Sequence, residues 1–342
     1  MCTLFDSANS TRRSRFPSAF AALLVVACGQ VDEPVAIEID PRWSLGVPLP
    51  MGLTDAAAAV VNGSIMVAGG QSAEGPSLHV YRFTPGATSW ERMADLPDYR
   101  VGGRLVVSDG TPYLVGGTHV VDNVHFQDRR VYSHLPAEDR WVEVASFPDL
   151  RDGDAVAVPG GIVVVGGGFG SADHGGTFPG DSAVMYIAAS SSWRYAAPIG
   201  TPRHRPLAVA SGSIVHVFGG QYLDGSGTPR EIEIYDAMSD TWSAGGQFVD
   251  YGRIVGQAHA RVGDHVHFFG VVAAVPGAPV IETHFRYHIP TDDWEVLPQL
   301  PTPRARAAAV VLDGRIHVIG GLRGPRFVPT SFADVVEIYD VR

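Results

Sequence analysis

Four arginines stand at matching places in successive copies of one strand. Counting back seven residues from Val107, Val158, Ala210 and Val311 gives Arg100, Arg151, Arg203 and Arg304. A fifth copy has Ile254 there with Arg253 beside it, and a sixth has Thr54. A guanidinium is a planar fork of donors suited to carboxylate or phosphate. Arg100, Arg151, Arg203, Arg253 and Arg304 are therefore the candidate ligand-binding residues. Asp98, Asp152, Asp154 and Asp250 lie close in sequence and offer the alternative, in which each guanidinium is neutralised inside the protein.

Other chemistry is thinner. His265 and His267 share one strand face at a spacing that can bind metal. His216, His267 and His317, however, stand where Tyr113 stands in another copy, which favours packing. There is no nucleophile-elbow G-x-S-x-G and no local pair of carboxylates of the glycosidase kind. The glycine-rich stretch Gly167–Gly176 lacks G-x-G-x-x-G, and no helix pattern follows it. Cys2 and Cys28 both precede the repeats, so the globular part has no disulfide and no thiolate. No catalytic residue, metal or cofactor is assigned.

The elements that must position the arginines are repeats. Asp313–Gly321 reads turn, alternating strand, double glycine. Copies lie at Asn62–Gly70, Asp109–Gly117, Pro159–Gly167 and Ser211–Gly220, and a worn copy at Gly263–Val271 lacks the second glycine. Alternating Val, Ile and Phe predict a packed strand. Trp43, Trp90, Trp141, Trp193, Trp242 and Trp294 share one register, and so do Tyr81, Tyr132, Tyr186, Tyr235, Tyr287 and Tyr339. A period near ~50 residues with this content points to a β-propeller. Paired glycines suit close backbone approach or positive φ, and the large aromatics suit the space between neighbouring sheets.

This pattern resembles the kelch repeat over residues 41–342, and there is no Trp-Asp dipeptide of the WD40 kind. The resemblance implies an all-β, six-bladed kelch-type propeller. Tyr339 has no Trp after it and Trp43 no Tyr before it, so the Trp43 strand is expected to close the sixth blade. Tight turns such as Asn62-Gly63 and Asp313-Gly314 mark one face. The longer loops after the double glycines mark the other, and the arginines are expected there, around the channel mouth.

Ahead of the repeats, Arg12, Arg13 and Arg15 precede a short apolar run ending Val25-Val26-Ala27-Cys28. The run is below the ~20 residues that span a bilayer. It reads as a secretory signal over residues 1–27, and the segment resembles a bacterial lipobox, which implies acylation of Cys28. Thr11–Phe16 also resembles a twin-arginine signal, so the export route stays open. Residues 28–40 then form a tether. The expected location is the bacterial cell envelope, lipid-anchored, at the outer membrane because Gly29 rather than Asp follows the cysteine.

The formal charge is −11, and residues 1–27 carry a net +2, so the remainder carries −11 − 2 = −13. An acidic field disfavours nucleic acid and anionic lipid surface as partners. The expected function is a monomeric, non-enzymatic binding protein for a partner protein or acidic glycan. Some kelch-like propellers act on sugars, and a sialate mutarotase-like epimerase is the alternative. A galactose oxidase needs a cysteine that this propeller lacks.

Overall fold

A computed structural model describes residues 39–121, 124–148, 153–167, 183–222, 226–248, 258–270, 284–323 and 331–342. Its framework is six four-stranded antiparallel sheets. Blade one is Ala57–Val61, Ser64–Ala68, Val80–Phe83 and Glu91–Met93. Blade two is Arg104–Ser108, Thr111–Val115, Arg130–Leu135 and Arg140–Ser146. Blade three is Asp154–Val158, Gly161–Val165, Ala183–Ile187 and Ser192–Ala196. Blade four is Leu207–Ser211, Ile214–Phe218, Glu231–Asp236 and Thr241–Gln247, and blade five is Ala258–Val262, His265–Phe269, His284–His288 and Asp293–Val296. Blade six takes Ala308–Leu312, Arg315–Ile319 and Val336–Asp340 from the C-terminal end and Trp43–Leu45 from the other.

That last strand pairs antiparallel with Val336–Asp340, with Trp43 opposite Tyr339. The expected closure is thus the observed one. It covers the edge that blade six would otherwise expose to another chain. Trp43 is buried against Phe269, His284 and Tyr339, at centroid distances of 6.0, 5.8 and 4.9 Å.

The hydrophobic core is divided among the seams. Each of six buried clusters mixes residues of two consecutive blades, as where Leu207, Phe218 and Phe248 of blade four meet Val266, Phe268 and Tyr287 of blade five. The repeating Trp staples those seams. In four of the six blades its indole N–H donates to a carbonyl of the preceding blade, Trp90 to Val47, Trp242 to Ala197, Trp294 to Gln247 and Trp43 to Pro298, while Trp141 and Trp193 pack in the same place without that bond. The repeating Tyr buries its ring and keeps its hydroxyl satisfied by an aspartate, as Tyr235 does on Asp240 and Tyr287 on Asp292.

The double glycine is an inter-blade contact as well. Gly70 N donates to Arg100 O at 2.7 Å, and Gly321 N to Leu53 O at 2.7 Å, so each blade receives the backbone leading into the next. At Gly320, where φ is +63°, a Cβ would stand 2.4 Å from Leu53 O. Both conformation and space therefore demand glycine there.

Candidate functional site at the long-loop face

Each first strand starts on the face that carries the longer loops and ends at a tight turn. The segment leading into it crosses the mouth of the ring, and the arginines lie on that segment. The structure places Arg100, Arg203 and Arg304 inside the blades, at 1%, 0% and 1% exposure, rather than around the opening. Their carbonyls cap the preceding blade while their side chains turn back beneath the surface. Arg203 ion-pairs with Glu233 and donates to the carbonyls of Thr201, Gly219 and Glu231. Arg304 ion-pairs with Glu337 and donates to the carbonyls of Gly320, Thr302 and Val318. Burial pulls both guanidiniums below their usual value, and the glutamates pull the other way. Arg151 and Arg253 lie outside the described residues, as does Cys28.

Blade two departs from this scheme. Glu233 and Glu337 stand two residues before the repeating Tyr, and Arg130 stands there before Tyr132. Arg100 therefore meets a second guanidinium where the other blades supply a carboxylate. Asp98 and Asp128 restore neutrality, lying 2.5 and 2.8 Å from Arg100 Nη1 and also pairing with Arg130. Burial works to raise the Asp128 carboxyl, but the hydrogen bonds from Arg130 outweigh it and hold the group low. Ligating atoms of Asp98, His119 and Asp128 come within 4.8 Å of one another, a spacing open to a cation. Two guanidiniums already neutralise the two carboxylates, so an incoming cation meets no net negative field. The cost of the altered blade falls on Arg100, whose Nε and Nη2 are buried without a hydrogen-bond partner.

What faces the mouth lies two residues further on. Thr201-Pro202-Arg203-His204-Arg205 and Thr302-Pro303-Arg304-Ala305-Arg306 are the same motif in blades four and six. Its first arginine is the buried anchor and its second is exposed. Arg205 and Arg306 sit at φ +50° and +58°, with Asp55 at +51° and Gly102 at +73° in the matching places of blades one and two. Asp55 N donates to Arg306 O and Gly102 N to Asp55 O, linking these turns along the rim. Arg306 also pairs with Asp55, Nε to Oδ1, at 2.8 Å. A left-handed non-glycine residue stores strain that the surroundings must hold. Tyr99 and Tyr222 are exposed on neighbouring segments of this face.

Inside the rim an ionic hub crosses the channel. Asp154, 2% exposed at the start of blade three's first strand, accepts from Arg104 Nε of blade two at 2.5 Å. It also accepts from Ala208 N of blade four at 2.8 Å and approaches His259 Nε2 of blade five at 3.2 Å. Burial alone would raise this carboxyl, but the Arg104 guanidinium and His259 overrule it and hold it far below the usual carboxylate range. One side chain thereby ties together the innermost strands of four consecutive blades.

His216, His267 and His317 are buried in the second strands at 6%, 1% and 4% exposure, the packing positions expected from Tyr113. His267 does not join His265. Its Nδ1 lies 2.8 Å from His284 Nε2, and His284 Nδ1 lies 3.2 Å from Pro298 O. With Nδ1–H donating at both steps, both rings are neutral and every link of the chain is made. Desolvation pushes them down to about 2 and about 3, respectively.

Residues 52–97 and 303–342 match the Kelch motif family. Kelch-like protein 23 of Homo sapiens is 25% identical over 218 residues, which is 63% of this chain and 36% of that protein. Kelch-like protein 35 of Mus musculus is 25% identical over 316 residues, 87% of this chain and 48% of that protein. The chain thus spans less than half the length of these two relatives. Among solved structures, one titled "Structure of YjhT" superposes with a TM-score of 0.70 at 14% identity, covering 86% of this chain and 95% of that one. Motif, relatives and ring agree: the chain carries kelch motifs, is similar to kelch-like proteins and folds as a six-bladed β-propeller.

Proposed function

We propose that the chain is a non-enzymatic binding module that engages an acidic segment of a partner protein through its long-loop face. The observation that carries this reading is the repeated T-P-R-x-R segment, which spends its first arginine on the fold and displays its second. Exposed Arg and Tyr on a rigid rim are the residue types that dominate interface energetics. The kelch relatives support a binding role. A carbohydrate-active enzyme has less support: among the described residues the buried carboxylates Asp128, Asp154, Glu233 and Glu337 are each paired with a guanidinium as its counter-ion.

The test uses Arg205→Gly/Arg306→Gly. Glycine is at ease at positive φ and already stands at Gly102, so the double variant should melt near wild type. Binding to an arrayed set of acidic peptides and acidic glycans should fall at least ~10-fold, and wild-type affinity should drop as salt rises. Unchanged binding in the variant would remove the rim from the account, and glycan-only binding would move the reading to the acidic-glycan alternative.

The lipid tether belongs to the same proposal. In this reading residues 28–40 tether the propeller to a membrane through an acylated Cys28. Stable anchoring needs more than one acyl chain at ~0.8 kcal/mol per buried CH₂. Cys28→Ser should abolish labelling by a palmitate analogue and shift the protein from membrane to soluble fractions; retention of the unlabelled variant on membranes would contradict the anchor.

A further inference from the structure

The histidines of blade five divide into two pairs with opposite properties. His267 and His284 are buried and spend their facing nitrogens on each other and on Pro298 O. His265 and His288 are directly opposite each other at the turn-face end of the same two strands, and both are partly exposed. Their rings stack with centroids 4.6 Å apart and planes 27° apart.

From this geometry we infer that His265 and His288 form a binding site for a borderline divalent transition metal of the Zn²⁺, Ni²⁺ or Cu²⁺ class. Imidazole nitrogen is a preferred ligand of these ions, and the strand register places two of them opposite each other, so that rotation of the stacked rings about their side-chain torsions, with no movement of the backbone, lets both lone pairs meet one ion. One nitrogen of the His288 ring is already engaged. Its Nδ1 lies 2.7 Å from Thr291 Oγ1, and with Nδ1–H donating there, Nε2 keeps its lone pair for a metal. This is the supporting hydrogen bond that metal-ligating histidines commonly make. Partial burial first, then the charge of Arg286, lowers the His265 ring from its ordinary value, the direction that favours the neutral, ligating form.

The surroundings admit a cation. Arg286 on the neighbouring position pairs with Glu295, which offsets its charge. Ile289 N donates to Asp264 O at 2.9 Å, which draws the Val262–His265 turn against the end of the His288 strand. Asp264 itself is exposed, with 64% of its side chain accessible, and its negative charge acts on His265. Two imidazoles with water in the remaining positions make an exchangeable site, and the affinity order should follow Cu²⁺ above Ni²⁺ and Zn²⁺.

The experiment is calorimetric titration of the tag-free propeller with Cu²⁺, Ni²⁺ and Zn²⁺ chlorides, beside His265→Ala, His288→Ala, Thr291→Val and a His79→Ala control. Circular dichroism confirms folding, and Gln replaces Ala where an alanine variant fails to fold. One metal per chain is expected. Its affinity should fall at least ~10-fold in each of the two His variants, by a smaller factor in Thr291→Val, and not at all in His79→Ala. Ni²⁺ should also raise the melting temperature of wild type but not of His265→Ala. Equal affinity in wild type and both His variants, or no binding by wild type at millimolar metal, overturns the site.

Discussion

Replacing Asp154 with Ala should cost on the order of 3–5 kcal/mol of stability, the range for removing one partner of a buried ion pair. The change removes the acceptor that Arg104, Ala208 N and His259 share and that ties four innermost strands together. Asp154→Asn should fall between, because an amide oxygen still accepts from Ala208 N but no longer neutralises the guanidinium. Asp55→Ala is the comparison at the rim: its pair with Arg306 has side chains 17% and 46% exposed and should be worth ~0–1 kcal/mol. Urea midpoints for the three variants check the order. A midpoint for Asp154→Ala indistinguishable from wild type would show that the channel hub is incidental to the ring.

The second large effect is acid lability at the closure. His267 and His284 have ordinary values of 6.5 when unfolded and are pushed to about 2 and about 3 in the fold. Between those limits the unfolded chain binds more protons, so stability falls as pH drops below about 6.5 and continues falling to about 3. At ~1.36 kcal/mol per pH unit for each ring, the two together should remove on the order of 5 kcal/mol between pH 6.5 and 4.5. The groups lie beside the closing strand, where His284 packs edge-on to Trp43 and Tyr339. His317, pushed down to about 4 by burial and by Arg315, adds a smaller term of the same sign. Unfolding midpoints measured from pH 7.5 to 4.5 should show the slope, and His267→Leu/His284→Leu should flatten most of it. An equal slope in the double variant would place the acid sensitivity elsewhere.

The ring itself was legible because its signals are local and repeated. Double glycines, Tyr and Trp recur in register, and each has a contact that explains it: Gly321 N on Leu53 O and Trp43 Nε1 on Pro298 O join neighbouring blades, and the Tyr287 hydroxyl on Asp292 ties a strand to the turn that follows it. The closing strand was legible from the unmatched Trp43 and Tyr339. The candidate site was legible in part. Charge at the start of the innermost strand was visible, but whether a side chain turns into the blade or out to the rim depends on a left-handed residue between anchor and strand. Sequence counting stopped at Arg203 and Arg304, two residues short of Arg205 and Arg306. The repeated T-P-R-x-R was the signal that separates them. In blade one the same register shift makes Leu53, not Thr54, the counterpart of those anchors; Thr54 instead bridges Gln71. Asp154 and Arg104 had a fainter mark: charged residues at the first place of the innermost strand, where other blades hold Ala57, Ala258 and Ala308, with His259 one place further on, where Ala58, Ala155, Ala208 and Ala309 stand. Glu233 and Glu337 gave no local signal, because the pairing crosses 30 and 33 residues.

The central claim is that partners meet the long-loop rim. Hydrogen–deuterium exchange of the propeller, with and without an acidic peptide selected on the array, tests it most directly. The account predicts added protection in the segments around Asp55, Gly102, Arg205 and Arg306, with none at the tight turns Asn62-Gly63, Asp109-Gly110 and Asp313-Gly314. Protection confined to those turns, with the rim unchanged, would contradict it.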